Sequence, residues 1–314
     1  MPADGRVRLA AGSLELEIAP EIGGSIAAFR RVASAVENEA FSTGDSTETR
    51  PKSSPHVPLM RESPPAYADV LESACFPLVP YSNRIRDGRF MFGGREVRLS
   101  ANMPPQRHPL HGTGWRAPWD VVAKTETACE LAYRHEPGEW PWAFEARQRF
   151  ALDEGGLTLE LECRNASDQP MPCGLGLHPY FVSDAETVLS LNTEQVWTID
   201  EEIMPVALAP STGRYDLRER RIDGADLDNG YEGWDGAAEI RWPNRGAALR
   251  ILSPEVTRFQ VYSPAEGGVF CAEPVTHAND AFSHPPERWR ELGMRIIQPG
   301  ESTALSTRFE VRAP

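Results

Sequence analysis

The chain has 314 residues, and 32 basic against 46 acidic side chains give it a formal charge of −14. So acidic a surface is a poor partner for nucleic acid or for an anionic membrane. With 40% hydrophobic and 25% charged residues the composition is globular, long enough for one large core or two modest ones, and global disorder is excluded.

No apolar run approaches the roughly 18 residues of a membrane-spanning helix. The opening Met1-Pro2-Ala3-Asp4-Gly5-Arg6 lacks the basic-then-apolar order of a secretory signal, so a cytoplasmic location is expected. Cys75, Cys129, Cys163, Cys173 and Cys271 are odd in number and scattered, which suits reduced, packed thiols better than a disulfide framework or a thiolate zinc site. Lys52 and Lys124 are the only lysines and neither sits in an apolar stretch, which argues against Schiff-base chemistry. With no phosphate-binding glycine motif either, nucleotide-dependent activities drop out.

Along the chain, Leu14, Leu16 and Ile18 alternate with acidic residues, the period of a strand with one buried face. Residues 42–65, rich in Ser, Thr and Pro, read as a mobile surface loop. A short helix is expected over 66–73, and the Asp87-Gly88 pair predicts a hairpin over 83–90. Leu157 to Cys163, Ala238 to Trp242, Thr257 to Tyr262 and Leu305 to Val311 are further strands, and 286–292 is a second short helix. The fold class is therefore all-β, with large antiparallel sheets packed in a single domain over residues 1–314. Parallel α/β would need helices between the strands.

Several residues stand where chemistry is plausible. His178 lies in the apolar run Cys173 to Phe181, either as a satisfied core histidine or as a proton carrier near neutrality. Glu273 ends the apolar run Val269 to Ala272, where a carboxylate is costly unless paired or used. His108 and His111 flank Pro109 beside Trp115; Pro109, Gly112 and Gly114 argue against the helix that an i, i+3 metal chelate needs, so no metal is expected. Asn83 and Arg84 can present a donor fork, and Asp228 reads as a loop acid among aromatics. His56, His135 and His284 read as loop histidines with exposed or structural roles.

Taken together, PYSNRIRDGRF, HPLHGTGW, GLHPYF, LDNGYEGW and CAEPVTHANDAF stand in the order and spacing of one family's blocks. From about Leu14 to Val311 the chain resembles the aldose 1-epimerases, or mutarotases. The resemblance implies a galactose mutarotase-like β-supersandwich and a reaction that interconverts the α and β anomers of a free aldose without a cofactor. It also implies roles: Glu273 as general base, His178 as general acid, and Arg84, His111 and Asp228 as sugar-binding residues. Asn83 joins these, and Trp115, Tyr180 and Trp234 are candidate walls for the sugar's apolar face. The chain departs from the galactose-type blocks at Leu177 and Pro179 around His178, and at Pro274-Val275-Thr276-His277 after Glu273, which bears on sugar preference.

Three other readings stay open. Arg84, Arg86, Arg89, Arg95, Arg98 and Arg107 form a local basic run that suits a phosphorylated hexose. A non-catalytic sugar sensor would keep the pocket without needing both Glu273 and His178. A glycoside hydrolase would use Asp228 and Glu273 as its two carboxylates. The partner expected is a small-molecule sugar, with the chain a monomer or a homodimer.

Overall fold

The structure, a computed structural model, describes residues 5–32 and 56–312. Strands dominate, and the strands read from period two all form. In Gly156–Asn165, Leu157, Leu159, Leu161 and Cys163 are buried, while Thr158, Glu160 and Glu162 lie nearer solvent. This strand pairs antiparallel with Ser302–Arg312, setting Leu157 opposite Phe309 and Leu161 opposite Leu305. Alternation works here because the pleat sends successive side chains to opposite faces of the sheet.

Two large antiparallel sheets result among the described residues. One has nine strands, running from Arg220–Arg221 through Ser302–Arg312 and Gly156–Asn165 to Asp120–Lys124. The other has eleven, and its centre runs in the spatial order Cys75–Leu78, Gly176–Val182, Val269–Val275, Arg258–Ser263, Leu227–Glu232. A hydrophobic core extends from Val7 to Phe309 and draws on both sheets. The central strands of the larger sheet are buried almost throughout, as Val269–Val275 shows. A strand buried on both faces reads as a continuous apolar run, and a polar residue in it needs a reason.

Helix is scarce. Within 66–73 only a 3₁₀ turn forms, Val70–Glu72, capped by Asp69 accepting from Leu71 N–H; Pro64 and Pro65 just before it leave little helical sequence. Pro286–Trp289 forms one α-helical turn, begun at a proline and followed by Gly293 at φ +83. Any Cβ on Gly293 would sit 2.0 Å from the Thr276 carbonyl.

Two expectations are corrected. The expected loop over 42–65 is not a loop at its end: His56–Pro58 pairs with Ser25–Val32, and Leu59 and Met60 are fully buried. Residues 42–55 of that segment lie outside the described residues. The hairpin also turns elsewhere. Arg89–Phe92 pairs with Arg95–Arg98 around Gly93-Gly94, both at positive φ, as a two-residue turn requires. Asp87-Gly88 instead closes a 3₁₀ turn before the hairpin.

Candidate active site

One face of the larger sheet collects the polar residues that its strands bury. Phe76 pairs with His178, Tyr180 with Cys271, Gln260 with Glu273, and Asp228 with Tyr262. Directly opposed residues share a face. Gly176 opposite Val275 and Tyr180 opposite Cys271 place His178 across from Glu273. The two side chains meet there, with His178 Nε2 3.6 Å from Glu273 Oε1. That is too long for a hydrogen bond and close enough for one small molecule to touch both.

Loops bring in the rest. Asn83 N–H donates to His111 Nδ1 at 3.1 Å, so neutral His111 carries its proton on Nε2. Asn83 and His111 both have positive φ, at 58° and 63°, a strained conformation that clusters at functional sites. Between them the backbones touch: Val79 bridges Gly112, and Arg84 bridges Leu110. At Gly112, φ is +73 and a Cβ would sit 2.3 Å from the Val79 carbonyl, so no other residue fits without moving the loop. Gly112→Ala is expected to cost roughly 1–3 kcal/mol of stability, measured by chemical denaturation.

Arg84 is buried and carries the polar network outward. It donates to Asn83 Oδ1 at 3.0 Å and to Gln106 Oε1 at 3.2 Å, and lies 3.8 Å from Asp228. Gln260 Nε2 donates to Asp228 Oδ1 at 2.8 Å. Asp228 stands in the strand Leu227–Glu232 and not in the expected loop, because Leu227, Asn229 and Tyr231 are buried at alternate positions despite the turn chemistry of Asp-Asn-Gly.

Burial sets the protonation of these groups. It pushes the Glu273 carboxyl well above the ordinary range, nearby Asp228 adds to this, and Arg84 opposes it. Asp228 is raised by burial as well, against Arg84 and Gln260. Burial also lowers His178 to about 3, with Arg61 and Arg84 contributing, and holds His111 well below its ordinary value. Neutral acid and neutral imidazole are the favoured resting pair.

His178, Cys271 and Glu273 have donor atoms within 4.8 Å of one another and are the group among the described residues whose composition suits a metal. Burial holds the Cys271 thiol well above its ordinary value, so a metal there would have to displace its proton. His108 Nδ1 accepts from Asp87 N–H and His111 Nδ1 from Asn83 N–H, leaving neither of those atoms free for a chelate.

Of the three expected wall residues, two lie away from the site face. Trp115 is fully buried behind the site, stacked on Phe76. Trp234 packs on Phe259 in the core and donates to the Ala237 carbonyl. Tyr180 is at the site, but His178 covers one face of its ring and Arg61 lies over it as well. Conversely, Phe76, Gln260 and Arg61 are site residues that the sequence does not single out, and His277 stands out there only as a departure from the galactose-type blocks. His277 accepts from Ser82 N–H at 3.0 Å and so clamps the loop leading to Asn83 and Arg84. Apart from period two, which puts Gln260 and Tyr262 on one face, nothing local marks these residues.

The aldose 1-epimerase family profile matches residues 47–310. The chain belongs to the aldose 1-epimerase family. It is 31% identical over 251 residues to the Escherichia coli K12 protein YphB, covering 76% of this chain and 84% of that one. A crystal structure of a candidate aldose 1-epimerase from E. coli K12 superposes with a TM-score of 0.84 at 28% identity, covering 98% of this chain and 99% of the other. A galactose mutarotase-like protein of Clostridium acetobutylicum shares the fold, with a TM-score of 0.81 at 17% identity over 98% and 95% of the two chains. The β-supersandwich is thus the fold shared with both solved structures. No helix among the described residues is long and apolar enough to cross a membrane.

Proposed function

We propose that this family member is a mutarotase that opens and recloses the ring of a free aldose, with Glu273 as base and His178 as acid. The observation that carries the reading is the approach of His178 Nε2 to within 3.6 Å of Glu273 Oε1 on a buried sheet face. In a cyclic aldose the C1 hydroxyl and the ring oxygen sit on one carbon, so two groups this close can each reach one of them. Glu273 takes the proton from the C1 hydroxyl while His178 gives one to the ring oxygen, and the C1–O5 bond breaks. Rotation about C1–C2 and the reverse transfers close the ring on the other face.

Each opening converts carboxylate and imidazolium into carboxylic acid and imidazole. That product pair is also the resting pair that burial favours, so the carboxylate–imidazolium form that opens the ring, equal to it in proton count, arises by moving one proton from Glu273 to His178. Each positioned proton-transfer group contributes on the order of 10² to 10⁴ in rate.

Arg84, His111 and Asp228, with Asn83 behind Arg84, supply donors and an acceptor for the sugar hydroxyls. Asp228→Asn is expected to raise KM about tenfold with kcat within a few-fold, since it removes binding that is uniform through the reaction. Saturation kinetics by polarimetry measure both constants.

The rivals lose ground on specific contacts. Within the basic run, Arg86 lies against Asp280 and Asp200, Arg107 against Asp87 and Glu202, and Arg98 against Glu96, so much of its charge is already answered. Asp228 and Glu273 stand on the same face of one sheet with one strand between them, and Asp228 is already engaged by Gln260 and Arg84 as a hydrogen-bonding group. Freshly dissolved α-glucose and α-galactose, followed by polarimetry or proton NMR with wild type and His178→Asn, test the proposal. Acceleration by the wild type that the variant loses supports it; sugar binding without acceleration transfers the reading to a sensor.

A further inference from the structure

Four rings stack through the site, and His178 is the second of them. Tyr180 lies against His178 at 4.8 Å between centroids and 29° between planes, His178 against Phe76 at 4.5 Å and 26°, and Phe76 against Trp115 at 5.3 Å and 29°. Both ends are capped by cations. The Arg61 guanidinium sits 3.8 Å over the Tyr180 centroid, and that of Arg116 sits 4.3 Å over Trp115. The ends are also tied to backbone: Arg61 donates to the carbonyls of Leu71 and Ser73, and Trp115 Nε1 donates to the Gly112 carbonyl at 3.2 Å.

A working imidazole is ordinarily oriented by a hydrogen bond from its second nitrogen. No other residue gives His178 one: its Nδ1 is buried, and among the described residues only its own backbone comes near it. Rotation about the Cβ–Cγ bond, which is soft for such rings, is then opposed chiefly by what packs on the ring's two faces. Those faces are held by Phe76 and Tyr180. We infer that Phe76 and Tyr180, backed by Trp115 and Arg61, are positioning residues that aim His178 Nε2 at Glu273 by ring stacking in place of a hydrogen bond. The ring faces of Tyr180 and Trp115 are thus engaged within the stack.

The inference rests on the proposed mutarotase reading for its kinetic consequence alone; the ring orientation is a property of the fold. The test uses protein labelled with ¹⁵N-histidine, with the His178 signals assigned by their loss in His178→Asn. In wild type, His178 is expected as one sharp neutral tautomer. In Phe76→Leu its signals should broaden or split between tautomers, and kcat should fall on the order of tenfold to a hundredfold with KM little changed. Phe76→Tyr keeps a ring in the stack and should restore both. Should Phe76→Leu fail to fold, Tyr180→Leu, nearer the rim, carries the same expectation. Unchanged His178 signals and kcat in folded Phe76→Leu would overturn the inference, as would a rise in KM alone, the mark of a sugar platform. If wild type turns over no aldose, the functional reading falls, and the NMR comparison still decides the role of the stack.

Discussion

Replacing Glu273 by glutamine is expected to lower kcat for anomer interconversion by on the order of 10² to 10⁴, with KM near its wild-type value. The amide matches the carboxyl in shape, so the neighbours Gln260 and His178 need not move, yet it cannot take the proton from the C1 hydroxyl. The same substitution is expected to stabilise the fold. Burial raises the Glu273 carboxyl above its unfolded value of 4.5, so the folded state holds a proton that the unfolded state releases. Stability from this group is therefore full below pH 4.5 and falls as pH rises toward the folded value. Glutamine never ionises, and its advantage should grow over that window and then level off. Polarimetry and denaturant melts at pH 5 and pH 8 measure both effects. A variant that is inactive and less stable at pH 8 would mean that Glu273 is ionised in the folded protein and pairs with a cation there.

How much of this was legible beforehand depends on the range of the interaction. Leu157 to Cys163 and Leu305 to Val311 declare their strands because one face meets core and the other solvent, and that contrast is written at every second residue. Glu273 was visible for the same reason inverted, a charge at the end of an apolar run. Asp228 stands out in the sequence but reads as a loop residue, since Asp-Asn-Gly is turn chemistry and only pairing with Arg258–Ser263 makes it a strand. Phe76, Gln260 and Arg61 were silent. Phe76 is one aromatic among many until the register sets it against His178, and Arg61 follows a segment with no apolar period. Contacts between distant parts of the chain decide these roles, and composition or spacing carries no trace of them.

Lowering the pH from 7 toward 4 is expected to destabilise the protein through its buried imidazoles. In the folded state burial holds His178 at about 3, His277 at about 4 and His111 well below its ordinary value, against about 6.5 for an unfolded histidine. Below pH 6.5 the unfolded chain therefore binds protons that the native chain refuses, and each loses stability progressively down to its own folded value. Each unit of displacement is worth about 1.4 kcal/mol per group, so three groups reach several kcal/mol, a large part of a typical domain's stability. Glu273 and Asp228, both raised, work in the opposite direction as pH falls toward their unfolded values. His277 separates the contributions because its hydrogen bonds state the cost. Nδ1 bonds the Ala278 carbonyl at 2.8 Å, and Nε2 accepts from Ser82 N–H at 3.0 Å. A second ring proton would turn that acceptor into a donor facing a donor. The loop that carries Asn83 and Arg84 would then lose its clamp, and sugar binding should fail along with stability. His277→Gln is expected to be less stable at pH 7 yet to show a slope between pH 6.5 and 4 that is shallower by close to one proton. Denaturant titrations at half-unit pH steps give that slope, and an unchanged one would mean that His277 is already protonated in the fold.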